Sequence, residues 1–115
     1  VTGQEEANMF QTRITEMLGI KYPIIGGTMM WISTPEFTAA MSNAGGLGVL
    51  CSAMYSTREA FADAVDRLQA LTDKPFAVNI NLFPMMRPID NNEYLEVLFD
   101  RGVKIVETSG HAAPE

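Results

Sequence analysis

At 115 residues the chain holds one domain at most, and its 47% of hydrophobic residues marks it as globular rather than disordered. Eight Lys+Arg against fourteen Asp+Glu leave a net charge of −6, with the basic residues scattered, which excludes the clustered positive face that nucleic acid needs. No apolar run approaches the roughly 20 residues that cross a bilayer, and the single cysteine, Cys51, excludes an internal disulfide and suits a reducing, cytoplasmic compartment.

The opening "VTGQEEANMF" is acidic and polar, where a secretory signal would be basic and then apolar. Residues 1–12 are expected to be a leader or a frayed terminus, and residues 13–115 the folded domain. "PIIGG" (Pro23–Gly27) reads as a short buried strand, stopped by two glycines and followed at once by Met29, Met30 and Trp31. Adjacent glycines cost about 0.5–1 kcal/mol each relative to alanine. The pattern therefore asks for bare backbone beside large apolar side chains. Those side chains either plug the end of a barrel or touch a ligand.

"STPEFTAAMSNAGG" reads as a helix with Thr34 as N-cap and Pro35 at the first helical position. Phe37, Ala40, Met41 and Ala44 would form its buried face, and Gly45 or Gly46 its left-handed stop. "LGVLCS" (Leu47–Ser52) is the second strand. A second helix follows, with Ser56 and Glu59 as a capping box and Phe61, Ala64, Val65, Leu68 and Leu71 as its stripe. "FAVNINL" (Phe76–Leu82) is the third strand. The third helix is capped by Asp90 or Asn92, buries Tyr94, Val97 and Leu98, and ends at Gly102. "VKIVETS" (Val103–Ser109) is the fourth strand.

The strands start near residues 23, 47, 76 and 103, one strand–helix unit apart each time. Such α/β repeats of parallel strands build a doubly wound sheet or a TIM (β/α)₈ barrel. The nucleotide fingerprint G-x-G-x-x-G is missing after the first strand, and the glycines of "NAGGLG" precede a strand instead of opening a helix. The barrel fits better, but eight units need about 250 residues. Four strands with three intervening helices make the first half of a barrel. Ile24, Val49, Val78, Ile80 and Ile105 or its neighbours are expected on its inward face, and strands one and four are left with open edges.

Four motifs in order, "TRITEMLGIKYPIIGGTMMW", "NAGGLG", "LTDKPFAVNINL" and "GVKIVETSG", resemble the opening of the nitronate monooxygenase family. That family was formerly called 2-nitropropane dioxygenase. It also contains FMN-dependent NAD(P)H:quinone reductases and flavin enoyl-acyl-carrier-protein reductases. The resemblance implies an FMN-binding (β/α)₈ barrel of about three times this length, so this chain would be its N-terminal half: a fragment, a natural truncation, or one piece of a split or cleaved protein. It implies a flavin oxidoreductase acting on a small molecule, with NAD(P)H as a possible electron donor, not active as this chain alone. The competing expectation is a non-catalytic half-barrel that folds by association with a copy of itself or with the missing half.

The resemblance also implies the site. The loop Gly27, Thr28, Met29 and Met30 would lie along the flavin ring, with Thr28 standing where the family commonly has glycine. Asn79 and Asn81 share a strand face. Asn81, nearer the C-terminal end, would be a flavin ligand and Asn79 structural. Glu107, Thr108 and Ser109 end the fourth strand, either at the site or as a solvated strand end. Neither His111, the only histidine, nor Cys51, which reads as a packed side chain, is assigned catalysis. No His/Cys/Asp/Glu spacing suggests a metal.

Overall fold

The computed structural model describes residues 10–83 and 89–111, and within them strands and helices alternate. The elements are α1 (Arg13–Leu18), β1 (Ile25–Gly26), α2 (Pro35–Asn43), β2 (Leu47–Cys51), a 3₁₀ turn (Ser52–Met54), α3 (Arg58–Leu71), β3 (Phe76–Asn81), α4 (Asn91–Asp100) and β4 (Ile105–Ser109). All strand pairs are parallel, in the spatial order β1-β2-β3-β4. This is the first half of a TIM barrel, with β1 and β4 as its two edges.

Local chemistry explains most boundaries. Thr34 caps α2 by accepting from the Phe37 N–H at 3.2 Å, and Pro35 opens the helix where its missing N–H costs nothing. Asp90 caps α4 by accepting from the Glu93 N–H at 3.2 Å. In α3 the cap is Thr57, accepting from Ala60 N–H at 3.1 Å, and not the expected Ser56. Glu59 then falls in the first helical turn, where it faces the positive end of the helix dipole, so no reciprocal capping box forms. Helix α1 had no counterpart in the sequence reading. Six residues carry too short a stripe to register, and its capping box pairs Thr12 with Thr15 instead of a Glu or Gln.

The two faces of the sheet bury different sets. Leu50, Val78 and Ile80 point to the helices and pack with Phe61, Val65, Leu68, Tyr94, Val97 and Leu98. Leu47, Val49 and Ala77 point the other way, into the barrel, and pack with Ile20 beyond α1 and with Ile105. The expected inward set is thereby split: Val49 and Ile105 face inward, Val78 and Ile80 face the helices, and Ile24 lies before β1 and is exposed. Alternation along each strand and the observed register require this division.

Helix α2 is rotated from the expected face. Its buried residues are Pro35, Thr38, Ala39 and Ser42, while Phe37, Ala40 and Ala44 are exposed and Met41 is half-buried. The cause lies across the interface at Gly48. A Cβ built there would sit 2.1 Å from the Thr38 carbonyl oxygen, so the helix backbone rests directly on the strand. Ser42 Oγ accepts a 3.0 Å hydrogen bond from the Gly48 N–H. Only small residues fit a contact this close, and the larger apolar side chains are displaced to its flanks. "NAGGLG" is therefore a packing motif, and its Gly45 takes the left-handed φ of 106° just past α2.

Neighbouring helices are tied on their outer sides by Arg67–Glu36, Arg58–Glu96 and Arg101–Asp66 ion pairs. Arg101 donates to Asp66 at 3.0 Å and holds its carboxyl below the usual carboxylate range. Such exposed pairs are screened by solvent and add little to stability.

Candidate functional site

Side chains pointing into the barrel change character along the strands. The register sets Val49, Ala77 and Ile105 side by side, then Cys51, Asn79 and Glu107, then Asn81 beside Ser109 at the C-terminal end. The interior thus runs from an apolar floor to a polar mouth. In barrels of this kind the C-terminal mouth carries the site.

The loop leaving β1 crosses that mouth. At Gly27 a Cβ would meet nothing within 4 Å, so the backbone is bare toward open space. Thr28 Oγ1 donates to Glu107 Oε1 at 3.1 Å, and Asn79 Nδ2 donates to the same oxygen at 2.7 Å. Ser109 Oγ donates to Asn79 Oδ1 at 3.3 Å. Asn79 is only 4% exposed, and both ends of its amide are hydrogen-bonded. Asn81 is half-buried; its Oδ1 accepts from the Phe83 N–H at 2.9 Å and its carbonyl accepts from Asn91 Nδ2 at 3.2 Å.

Beyond Thr28 the loop folds on itself. The Met29 N–H donates to Ser33 Oγ at 2.8 Å, and the Ser33 N–H returns to the Met29 carbonyl at 2.8 Å. Fully buried Ser33 therefore fixes a tight turn, a role that nothing in the sequence signals. At its centre Trp31 has φ 69°, rare for a bulky residue, and its N–H donates to Met54 Sδ at 3.0 Å. The turn presents Met29 and Met30, 43% and 44% exposed, and Trp31, 71% exposed. Across the mouth His111 stacks on Phe83, with ring centroids 5.2 Å apart. After β2, burial pushes the Tyr55 phenol up, and the Tyr55 backbone carbonyl accepts from Tyr94 Oη at 2.6 Å.

The structure thus brings Thr28, Glu107 and Asn79 together, with Ser109 reaching back to Asn79, sets Gly27, Met29 and Met30 beside them, and places Asn81 level with Ser109, one layer beyond Asn79 and Glu107. Glu107, expected with Thr108 and Ser109 either at the site or at a solvated strand end, has its position set by register. It alternates onto the Ser109 face and pairs with Asn79. Among the described residues there is no group of three His, Cys, Asp or Glu that could hold a metal, and no helix long and apolar enough to cross a membrane.

The sequence pattern of nitronate monooxygenase matches residues 11–110. The chain belongs to the nitronate monooxygenase family. A (3aS,4S,5R,7aS)-5-hydroxy-7a-methyl-1-oxo-octahydro-1H-indene-4-carboxyl-CoA dehydrogenase of Mycobacterium tuberculosis is 36% identical over 95 residues, covering 83% of this chain and 25% of that protein. A probable nitronate monooxygenase of Staphylococcus saprophyticus is 46% identical over 69 residues, 60% of this chain and 19% of its own length. Among solved structures, FabK from Thermotoga maritima superposes with a TM-score of 0.76 at 34% identity, over 88% of this chain and 31% of that one. Nitroalkane oxidase from Streptomyces ansochromogenes gives a TM-score of 0.68 at 26% identity, over 84% and 35%. Both are TIM barrels, which agrees with the half-barrel architecture. The chain spans between a fifth and about a third of the length of these family relatives.

Proposed function

We propose that this chain forms the ring-side wall of the FMN site in an oxidoreductase of the nitronate monooxygenase family, acting on a small molecule. The observation that carries this reading is the pairing, at one mouth, of bare backbone at Gly27 with half-exposed Met29 and Met30 beside a polar layer. A flat heteroaromatic ring needs that combination: close backbone approach, soft sulfur contact on its face, and hydrogen-bonding groups at its polar edge. The residues fit the group. Gly27 leaves its space open, Met29 and Met30 supply the apolar contact, Thr28 offers its backbone, and Asn81 would reach the edge from β3. When bound, FMN supplies electron transfer from a nitronate or NAD(P)H to oxygen or a quinone. The names of the relatives, a dehydrogenase, a probable monooxygenase and an oxidase, support an oxidation.

The chain's own part is to bind and orient the ring and to keep the mouth dry on its apolar side. Phosphate anchoring in such barrels comes from the loops after strands seven and eight, so this segment alone should hold FMN weakly. Calorimetric titration with FMN, together with the absorbance spectrum of the purified protein, tests the reading. A complete barrel carrying this segment should bind stoichiometric FMN, and one that binds none would refute it.

A second reading concerns the chain by itself: a half-barrel that folds by association with its own copy or with the missing half. The observation here is the groove of about 760 Å³ on the outer face of α4 and β4, lined by Leu95, Phe99, Val103 and Val106. Phe99 is 88% exposed. The groove lies away from the mouth, at the place where the next strand–helix unit of a barrel would pack, so it reads as a packing face and not a ligand site. Among the described residues β1 and β4 have no strand on their outer sides, so the 115-residue chain should be associated and without turnover of NAD(P)H. A compact monomer by light scattering would remove this reading.

A further inference from the structure

We propose that Glu107 is a ligand-facing carboxylate, held by one oxygen so that the other accepts a hydrogen bond from a neutral N–H donor of the molecule bound at the mouth. The inference rests on the flavin reading and extends it to a residue which that reading leaves unused. Glu107 lies on the inward face of β4, level with Asn79, and is half-buried. Both of its observed donors, Thr28 Oγ1 at 3.1 Å and Asn79 Nδ2 at 2.7 Å, converge on Oε1. Oε2 has no partner among the described residues. No lysine, arginine or histidine among them pairs with Glu107; the ion pairs lie on the outer helices and on the Asp73–Lys74 segment.

A strut between β1 and β4 would need only the one acceptor oxygen, which a neutral amide provides without the cost of withdrawing a charge from water. A carboxylate instead keeps a second acceptor oxygen, which at half-buried Glu107 is available to a donor of a bound molecule. That oxygen accepts from an N–H donor of the bound molecule and disfavours a negatively charged group set directly against it. Two donors share that chemistry: the imide N–H at the edge of a flavin ring, and the carboxamide of a reduced nicotinamide. Thr28 and Asn79 are the positioning residues, since they set the direction of the carboxylate and do not themselves meet the ligand through these groups.

Glu107→Gln is the discriminating variant. Its amide oxygen can still accept from Thr28 and Asn79, while an NH₂ donor replaces the free acceptor. In a complete barrel carrying this segment, the apo melting temperature should stay within about 2 °C of the parent. FMN affinity measured by calorimetry should fall tenfold or more if the ring imide is the donor. N3-methyl FMN, which lacks that N–H, should then bind parent and variant alike. If FMN affinity is unchanged but the dissociation constant of NADH rises tenfold at saturating FMN, the donor is the carboxamide, and the assignment of Glu107 also stands. If both constants match the parent, Glu107 has no ligand contact and the proposal is overturned. A parent that binds neither FMN nor NADH overturns the flavin reading first, and the Glu107 assignment falls with it. Should Glu107→Gln not fold, Thr28→Val removes one donor to Oε1 and should weaken the same ligand three- to fivefold; no change there would equally refute the proposal.

Discussion

Gly48→Ala is predicted to cost the fold more than any other single added methyl group in its inner layer. The new Cβ would lie 2.1 Å from the Thr38 carbonyl oxygen, 2.8 Å from its carbon and 2.9 Å from Thr38 Cγ2. Ordinary contact begins near 3.4 Å, so α2 must retreat by roughly 1 Å. Retreat stretches the buried 3.0 Å bond from the Gly48 N–H to Ser42 Oγ. Overpacking of a core costs about 1–3 kcal/mol, and an unmet buried hydrogen bond a further 1–3 kcal/mol or so. The total is about 2–6 kcal/mol, a large part of the roughly 5–15 kcal/mol that holds a domain together. Urea unfolding followed by circular dichroism measures it: with a slope of about 1–3 kcal/mol per molar, the midpoint should fall by more than about 1 M at unchanged slope. Gly27→Ala, whose Cβ meets nothing, is the control and should leave the midpoint in place. A Gly48→Ala midpoint within about 0.3 M of the parent would show that α2 yields without cost, and would refute the close-packing account of the motif.

Gly27→Val should likewise change stability little, because a Cβ there meets nothing within 4 Å, yet it should lower FMN retention on gel filtration by filling the room left for the ring; equal retention would contradict the proposed role of the loop. Asn81→Ala should weaken FMN binding by about 1–3 kcal/mol with little change in apo melting, whereas Asn79→Ala, which strips donors and acceptors from Glu107 and Ser109, should lower the melting temperature first. Equal effects at both positions would erase the distinction. Arg101→Gln should raise the Asp66 pKa toward its ordinary value, as read by NMR titration. Because the folded Asp66 pKa lies below the unfolded one, the pair's contribution is present at neutral pH and lost as pH falls through the folded value. The variant should therefore show a flatter acid limb of stability, and an unchanged limb would mean that the pair contributes nothing.

Periodicity and punctuation carried much of the architecture. α4 could be read nearly whole, since Asp90, Tyr94, Val97, Leu98 and Gly102 each sit where capping and a 3.6-residue period require. The shared face of Asn79 and Asn81 followed from alternation alone. What remained hidden depends on distances between elements. The face of α2 could not be read because Gly48, ten residues beyond Thr38, sets how near the helix comes, and a hydrophobic stripe does not encode nearness. The sorting of Val49 from Val78 required the register of three strands. At the site, Thr28 and Glu107 are 79 positions apart, and neither residue alone signals the other. Ser33, which shapes the Met29–Trp31 turn, looks in sequence like any loop serine.

The placement of Trp31 has a spectroscopic consequence. It is the only tryptophan in the chain, and it stands at the mouth with most of its surface in water, apart from either hydrophobic core. Its emission should therefore already be red-shifted in the native state and move little when the cores melt. The same indole lies beside Met29 and Met30, next to any ring that docks there. An absorbing ligand at that position should quench it strongly. Intrinsic fluorescence in this protein is thus a poor thermometer of folding and a direct, label-free report on whether the mouth is filled.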